Sequence, residues 1–503
     1  MTLMQDFTRI CKECRSNGVL WQDPEFDISD DSILFYHDKP ETAKFVWKRP
    51  TEITPHPKFV VDSRAQYDIV AGTFGEPYLV SILGVVYQYR GLFYRCVPAD
   101  QGFEPEYNYG GLFHFRLWWA GEWTEVLVDD RLPTISNRLV FIHAASSNQF
   151  WAALLEKAYA KLHGSYEALR YATSVDAFNE LTGGTTESLQ LENEEICLRI
   201  AQKAFYQTAI VSAVTHANNA PTIIAAGLPV DLHYCINAIE ELQCTDGSSV
   251  TLLKIQNSPG VSTLYKGPFC TPRSGDWKRV PHSDRERIGF DRLNPGEFWI
   301  PWYEFRSVFA RFEIVYLDAD TCHSEGRFKS RHTQPPHTRI FQGFWKRGIT
   351  AGGCRNNIET FHVNPQVLLG IANADSIIVA LIQHQIIEPR TVGFSIYKLA
   401  ANVVSNQLLG TNFFRTTKAI HHSNYCNSRQ ILSRISLDAG NYVIVPTAYE
   451  VGSEGTFTMR VYSQTGISLG VLDVAPAVIK PAIVRAAPTN DDYKAMFLSY
   501  ADE

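Results

Sequence analysis

A polar, basic stretch from Glu325 to Thr338, carrying Arg327, Lys329, Arg331, Pro335 and Pro336, divides the chain into two parts with different apolar patterning. Before it, helix-period and strand-period segments alternate. After it, short apolar runs such as Val367-Leu-Leu, Ile377-Ile-Val-Ala-Leu-Ile and Tyr442-Val-Ile-Val recur at strand spacing between turn residues, which is how a β-sandwich reads. A chain of 503 residues is also too long for one compact core, so at least two separately packed units are required.

Within the first part, Phe113 to Trp119 and Trp123 to Val128 alternate apolar with polar residues, and Ala120-Gly121-Glu122 between them predicts a hairpin turn. Phe150 to Leu162 places aromatic and aliphatic residues three and four apart and predicts a helix stopped at Gly164. Beyond Ser463 an Ala/Pro-rich run, Ala475 to Thr489, reads as a linker, and Asp491 to Ala501 has the spacing of a first helical turn or two.

Charge and cysteine usage exclude some function classes. A net charge of −7 over this length argues against a non-specific nucleic-acid binder, which normally shows a basic face. Ten scattered cysteines, no basic-then-apolar leader and no apolar run near ~20 residues predict a thiol-reduced, cytoplasmic protein without a transmembrane segment. Cys11-Lys-Glu-Cys14 has the spacing of half a zinc site but no second pair, so two helix-face cysteines are expected instead.

Several phrases resemble the calpain family of cysteine proteases. They are Trp47-Lys-Arg-Pro-Thr-Glu-Ile53, Gly121-Glu-Trp through Thr134, Phe150 through Lys161 and Gly164-Ser-Tyr-Glu-Ala-Leu169. The second part adds Trp345 through Asn356, Val363-Asn-Pro-Gln366 and Gly440-Asn-Tyr-Val-Ile-Val-Pro446, so the resemblance covers about residues 20 to 465. It implies an α+β fold, a papain-like two-subdomain calpain protease core followed by a C2-like antiparallel β-sandwich. The implied division is an N-terminal anchor segment (1–44), a core (45–322, subdomains about 45–170 and 171–322), a linker (323–338), the sandwich (339–465), and a linker with the start of a truncated penta-EF-hand domain (466–503). No D-x-[DN]-x-[DN]-G calcium loop occurs in the sequence.

Cysteine peptide hydrolysis needs a thiolate at a helix N-terminus, a histidine base, a group orienting that base, and an oxyanion donor. The family phrase Gln-Gly-x-x-Gly-Asp-Cys-Trp-Leu matches Ala71-Gly-Thr-Phe-Gly-Glu-Pro-Tyr-Leu79, which puts Pro77 at the nucleophile position and Ala71 at the oxyanion glutamine. The histidine phrase matches Gly227-Leu-Pro-Val-Asp-Leu-His-Tyr234, which puts Leu232 at the base and His233 one residue late, facing away from the cleft. Asn257 retains the orienting position, with nothing left to orient. Proline is tolerated in a first helical turn, so the fold is expected to survive this loss of chemistry.

Calcium, the cation the family uses, takes oxygen ligands. The first-site positions map to Val61, Ser63, Asp68 and Gln149, and the second-site positions to Thr263, Leu293, Pro295 and Glu297. With carboxylates missing from both, binding is expected to be weak or lost, and no cofactor is expected. Lipid docking through the loop after Gln366 loses its usual acidic run, so membrane association is not expected. The expected function is a pseudoprotease with protein partners and a regulatory or scaffolding role. The alternatives are an active calcium-dependent cysteine endopeptidase, and a lipid- or peptide-binding module centred on residues 339–465.

Overall fold

The computed structural model describes residues 2–34, 44–60, 67–145, 148–215, 220–230, 232–257, 265–329, 336–385, 387–400 and 407–472. Val61, Ser63, Thr263 and the C-terminal segment from 473, with its expected linker and first helix, lie outside them.

The first half of the core is helical around one hairpin. Strands Leu112–Trp119 and Glu122–Asp129 pair antiparallel, and Ala120 and Gly121 turn the chain with φ of 49° and 94°. Two positive φ values in succession match the right-handed twist of the strands, which is why so short a turn closes here. Helix Trp151–His163 packs against this hairpin, and Gly164, φ 99°, ends it.

That helix is buried on every side, so its charged residues carry built-in partners. The Lys157 ammonium lies 2.6 Å from Asp129, Lys161 reaches Asp23 at 2.9 Å, and Glu156 accepts the Ile142 N–H at 2.7 Å. Burial would raise the Asp129 carboxyl, but Lys157 and Arg131 bring it down to about 2. Removing one partner from such a pair typically costs about 3–5 kcal/mol.

The second half is a six-stranded antiparallel sheet. Its order is Glu297–Pro301, Ser249–Gln256, His233–Gln243, Ala209–Thr215, Phe309–Tyr316, Thr185–Gln190. One face packs on helices Glu194–Tyr206 and Trp302–Val308 in a core that includes Tyr234, Ile236 and Phe312. The other face contributes Ile210, Cys235 and Val315 to the core of the helical half. Alternation along one strand therefore sends Tyr234 and Cys235 into different cores.

Part of the expected linker is ordered against the core rather than free. Helices Ala319–Ser324 and Gly326–Lys329 return to helix Arg90–Cys96, with Arg95 on Asp320 at 2.5 Å and Phe328 stacked on Tyr89. The apolar Phe328 explains this, since a purely polar linker would have nothing to bury.

The C-terminal unit consists of two antiparallel sheets. One runs His337–Trp345, Gly455–Ser463, Asp375–Gln383, Gln430–Leu437; the other runs His421–His422, Val392–Lys398, Gly440–Ala448, Val367–Ile371, Ile467–Val471. Val379 and Leu381 from the first meet Leu369, Phe394 and Ile444 from the second in a common core.

Candidate functional site

The loop Ala71–Glu76 feeds the helix that should carry a nucleophile. Phe74 N–H donates to the Val140 carbonyl, and Gly72 sits at φ 72° where a Cβ would meet the Phe141 carbonyl oxygen at 2.5 Å. Only glycine fits that approach. Glu76 is extended (φ −88°, ψ 119°) and Pro77 opens helix Pro77–Val86 at its first position, where a missing N–H leaves nothing unpaired. The half-buried Ala71 lends its carbonyl to Gly75 N–H at 3.1 Å and has no polar side chain.

Across the seam, Leu232 precedes strand His233–Gln243 and packs into the second core. His233 takes the opposite side of the strand and is 3% exposed. Far from being a plain strand histidine, it uses both ring nitrogens. Nδ1 lies 3.1 Å from Ser81 Oγ, one helical turn after Pro77, and Nε2 lies 2.8 Å from Glu313 Oε2. Ser81 Oγ also accepts the His233 backbone N–H at 2.6 Å. Burial would raise the Glu313 carboxyl, but His233 and Arg311 beside it hold it at about 2. Asn257 is 2% exposed, and its backbone N–H donates to the Gly296 carbonyl at 3.1 Å.

The cysteines near this seam are buried. Cys96 donates to the Leu181 carbonyl and burial pushes its thiol up to about 12, which suits an inert side chain. Cys235 lies 3.6 Å from Tyr89 Oη and 3.5 Å from Asn237 Oδ1. Cys11 and Cys14 sit buried on helix Thr2–Asn17.

Among the described positions mapped to calcium, Asp68, Gln149 and Glu297 are bonded to protein groups. Gln149 Nε2 donates to Asp68 Oδ1 at 3.1 Å, while Trp151 Nε1 donates to Gln149 Oε1 at 3.2 Å. Glu297 accepts from Asn237 Nδ2 at 2.6 Å, from the Asn294 N–H at 2.7 Å and from its Nδ2 at 2.9 Å, and lies 3.2 Å from the Lys254 ammonium. Leu293 packs beside Trp277 and Trp299. Among the described residues no group of three His, Cys, Asp or Glu is arranged to hold a metal ion. A side-chain ammonium beside Glu297 is the wrong neighbour for a dication at that residue.

One feature escaped the sequence reading. Arginines of the C-terminal unit enter the core's acidic edge: Arg429 on Glu180 at 2.8 Å, Arg434 on Glu187 at 2.6 Å, and Arg460 on the Gly184 carbonyl at 2.8 Å. Beside them a cleft of about 620 Å³ is lined by residues including Tyr171, Ser174, Arg311 and Arg434. Arginine at a protein surface is unremarkable in sequence, and the partners here are more than two hundred positions away.

Comparison with known proteins gives two family matches, calpain family cysteine protease over residues 21–316 and calpain large subunit, domain III, over residues 341–462. Calpain-C of Drosophila melanogaster is 38% identical over 99% of this chain and 77% of its own length. Calpain-A of the same fly is 33% identical over 92% of this chain and 58% of its own. Calpain-9 of Mus musculus is 32% identical over 99% of this chain and 74% of its own.

Proposed function

The chain belongs to the calpain family of cysteine proteases, and we propose that within it this protein is a pseudoprotease, a cytoplasmic regulator or scaffold that binds protein partners without cutting them. The observation that supports the reading is Pro77 at the first position of helix Pro77–Val86, where the resemblance of Ala71 to Leu79 to the family phrase puts the nucleophile. A proline nitrogen and ring offer no nucleophile. Leu232 and Ala71 add an apolar group and a methyl where a base and an oxyanion donor are needed. Partner binding would use the inherited cleft and the C-terminal two-sheet unit, which Arg429, Arg434 and Arg460 tie to the core. Casein and fluorogenic-peptide assays of the full chain, with and without calcium, test this reading. No turnover is expected, and cleavage blocked by a thiol-alkylating inhibitor would end it.

A second reading, the sandwich as a ligand-binding module, is favoured by one observation. A cavity of about 570 Å³ has Arg355, Arg415 and His422 among its walls, Arg415 being paired with Glu359. Co-sedimentation with anionic liposomes, compared between the full chain and Arg355→Gln, tests it. Binding that depends on Arg355 supports the module, and equal pelleting of both proteins removes it.

The described residues contain no helix long and apolar enough to cross a membrane.

A further inference from the structure

We propose that His233 is a latch that holds the two halves of the core together with protein groups alone. The proposal rests on the reading above that His233 is not a catalytic base.

The latch crosses the seam twice. Ser81 and Ser174 belong to helices Pro77–Val86 and Ser174–Thr182, both packed in the first core although the second follows the expected subdomain boundary at 170, whereas His233 and Glu313 lie on the two strands of the six-stranded sheet that flank Ala209–Thr215. Ser81 meets His233 at the first crossing, at 2.6 Å to its backbone N–H and 3.1 Å to Nδ1. Ser174 Oγ donates to Glu313 Oε1 at 2.8 Å at the second. His233 Nε2, 2.8 Å from Glu313 Oε2, joins the two crossings into one chain, and Arg311 Nε donates to Glu313 Oε1 at 3.0 Å.

Every contact can be satisfied at once: His233 Nε2–H donates to the Glu313 carboxylate, and Ser81 Oγ accepts the His233 backbone N–H while sharing one hydrogen bond with Nδ1. Ser81, His233 and Glu313 are 1%, 3% and 1% exposed, so opening the seam would strip buried polar groups of their partners before water reached them. Phe178, edge-on to the imidazole at 5.8 Å, closes the remaining side. Elsewhere on the same sheet, Lys254 already stands as the cation at Glu297. Closure of this core therefore needs no added ion. A histidine shifted by one residue out of the catalytic position has become the fastener between the walls.

Hydrogen–deuterium exchange on the full chain tests the latch. In the unmodified protein, helices Pro77–Val86 and Ser174–Thr182 should exchange at the same rate in EDTA and in millimolar calcium. His233→Ala should speed exchange in both helices by about tenfold or more, a local opening that leaves strand Gly440–Ala448 unchanged and is not reversed by calcium. Ser81→Ala, which leaves the strand untouched, should act chiefly on helix Pro77–Val86 and serves if His233→Ala does not fold. Calcium-slowed exchange at the seam of the unmodified chain would overturn the proposal, as would rates in both variants within about twofold of the unmodified chain. The casein assay is separate. An inactive chain whose seam tightens with calcium sinks the latch alone, whereas a calcium-indifferent seam in a chain that cleaves casein sinks the pseudoprotease reading alone.

Discussion

Replacing Arg429 by methionine keeps the side-chain stem and removes the charge that ties the C-terminal unit to the core. Arg429 is 7% exposed, donates to Glu180 at 2.8 Å, lies 3.4 Å from Asp176 and covers the Trp119 ring at 5.3 Å. Burial on its own would raise the Glu180 carboxyl; Arg429, followed by His163, brings it down to about 2. Arg429→Met leaves a buried carboxylate short of its main partner, at a cost of about 3 kcal/mol, the low end of the range for broken buried pairs because His163 remains at 3.0 Å. At roughly 2–4 °C per kcal/mol for units of this size, the calorimetric midpoint should fall by roughly 6–12 °C. The double variant Arg429→Met with Glu180→Gln removes the orphaned charge and should recover at least half of that loss, since the two sites are coupled. A fall below 2 °C for the single variant, or a double variant no more stable than it, would refute the claim that this pair seats the sandwich.

Acid should destabilise the protein through the same carboxylates. Asp129, Glu180 and Glu313 are each held at about 2, below their ordinary values of 3.8, 4.5 and 4.5, so the unfolded chain binds protons first. Their stabilisation is fully present above about pH 5 and drains as pH falls towards 2, and a thermal midpoint flat from pH 5 to pH 3 would contradict this. Millimolar calcium should leave the thermal midpoint unchanged, because Glu297 already holds Lys254 and Asp68 holds Gln149; a rise of several degrees would reveal a tight site. Pro77→Cys alone should yield no proteolysis, since an unassisted thiol is only a few per cent thiolate at neutral pH. Ala71→Gln, Pro77→Cys and Leu232→His together, beside Asn257, should give at most weak and calcium-independent cleavage of a fluorogenic peptide; strong calcium stimulation of that triple variant would show the calcium positions to be functional.

What could be read from the sequence was local. The turn at Ala120-Gly121 and the helix from Trp151 are set by residues a few positions apart, and both stand where periodicity put them. The strands at Val367, Ile377 and Tyr442 were equally legible as apolar runs between turn residues. The illegible part is long-range polar pairing. Ser81 and His233 are 152 positions apart and His233 and Glu313 are 80 apart, so nothing in the spacing joins them. The offset of His233 from Leu232 did indicate opposite strand faces, yet it could not indicate that the histidine's face is the buried seam against helix Pro77–Val86. The packing of Phe328 within the expected linker was illegible for a related reason, because its partner Tyr89 lies at the start of a distant helix.

The most direct test of the account is cleavage of a fluorogenic calpain-type peptide by the unmodified full chain over a calcium titration. The account predicts no turnover above a heat-inactivated control at any calcium concentration, because position 77 has no sulfur. Calcium-stimulated turnover that disappears on substitution of one of the native cysteines would contradict it.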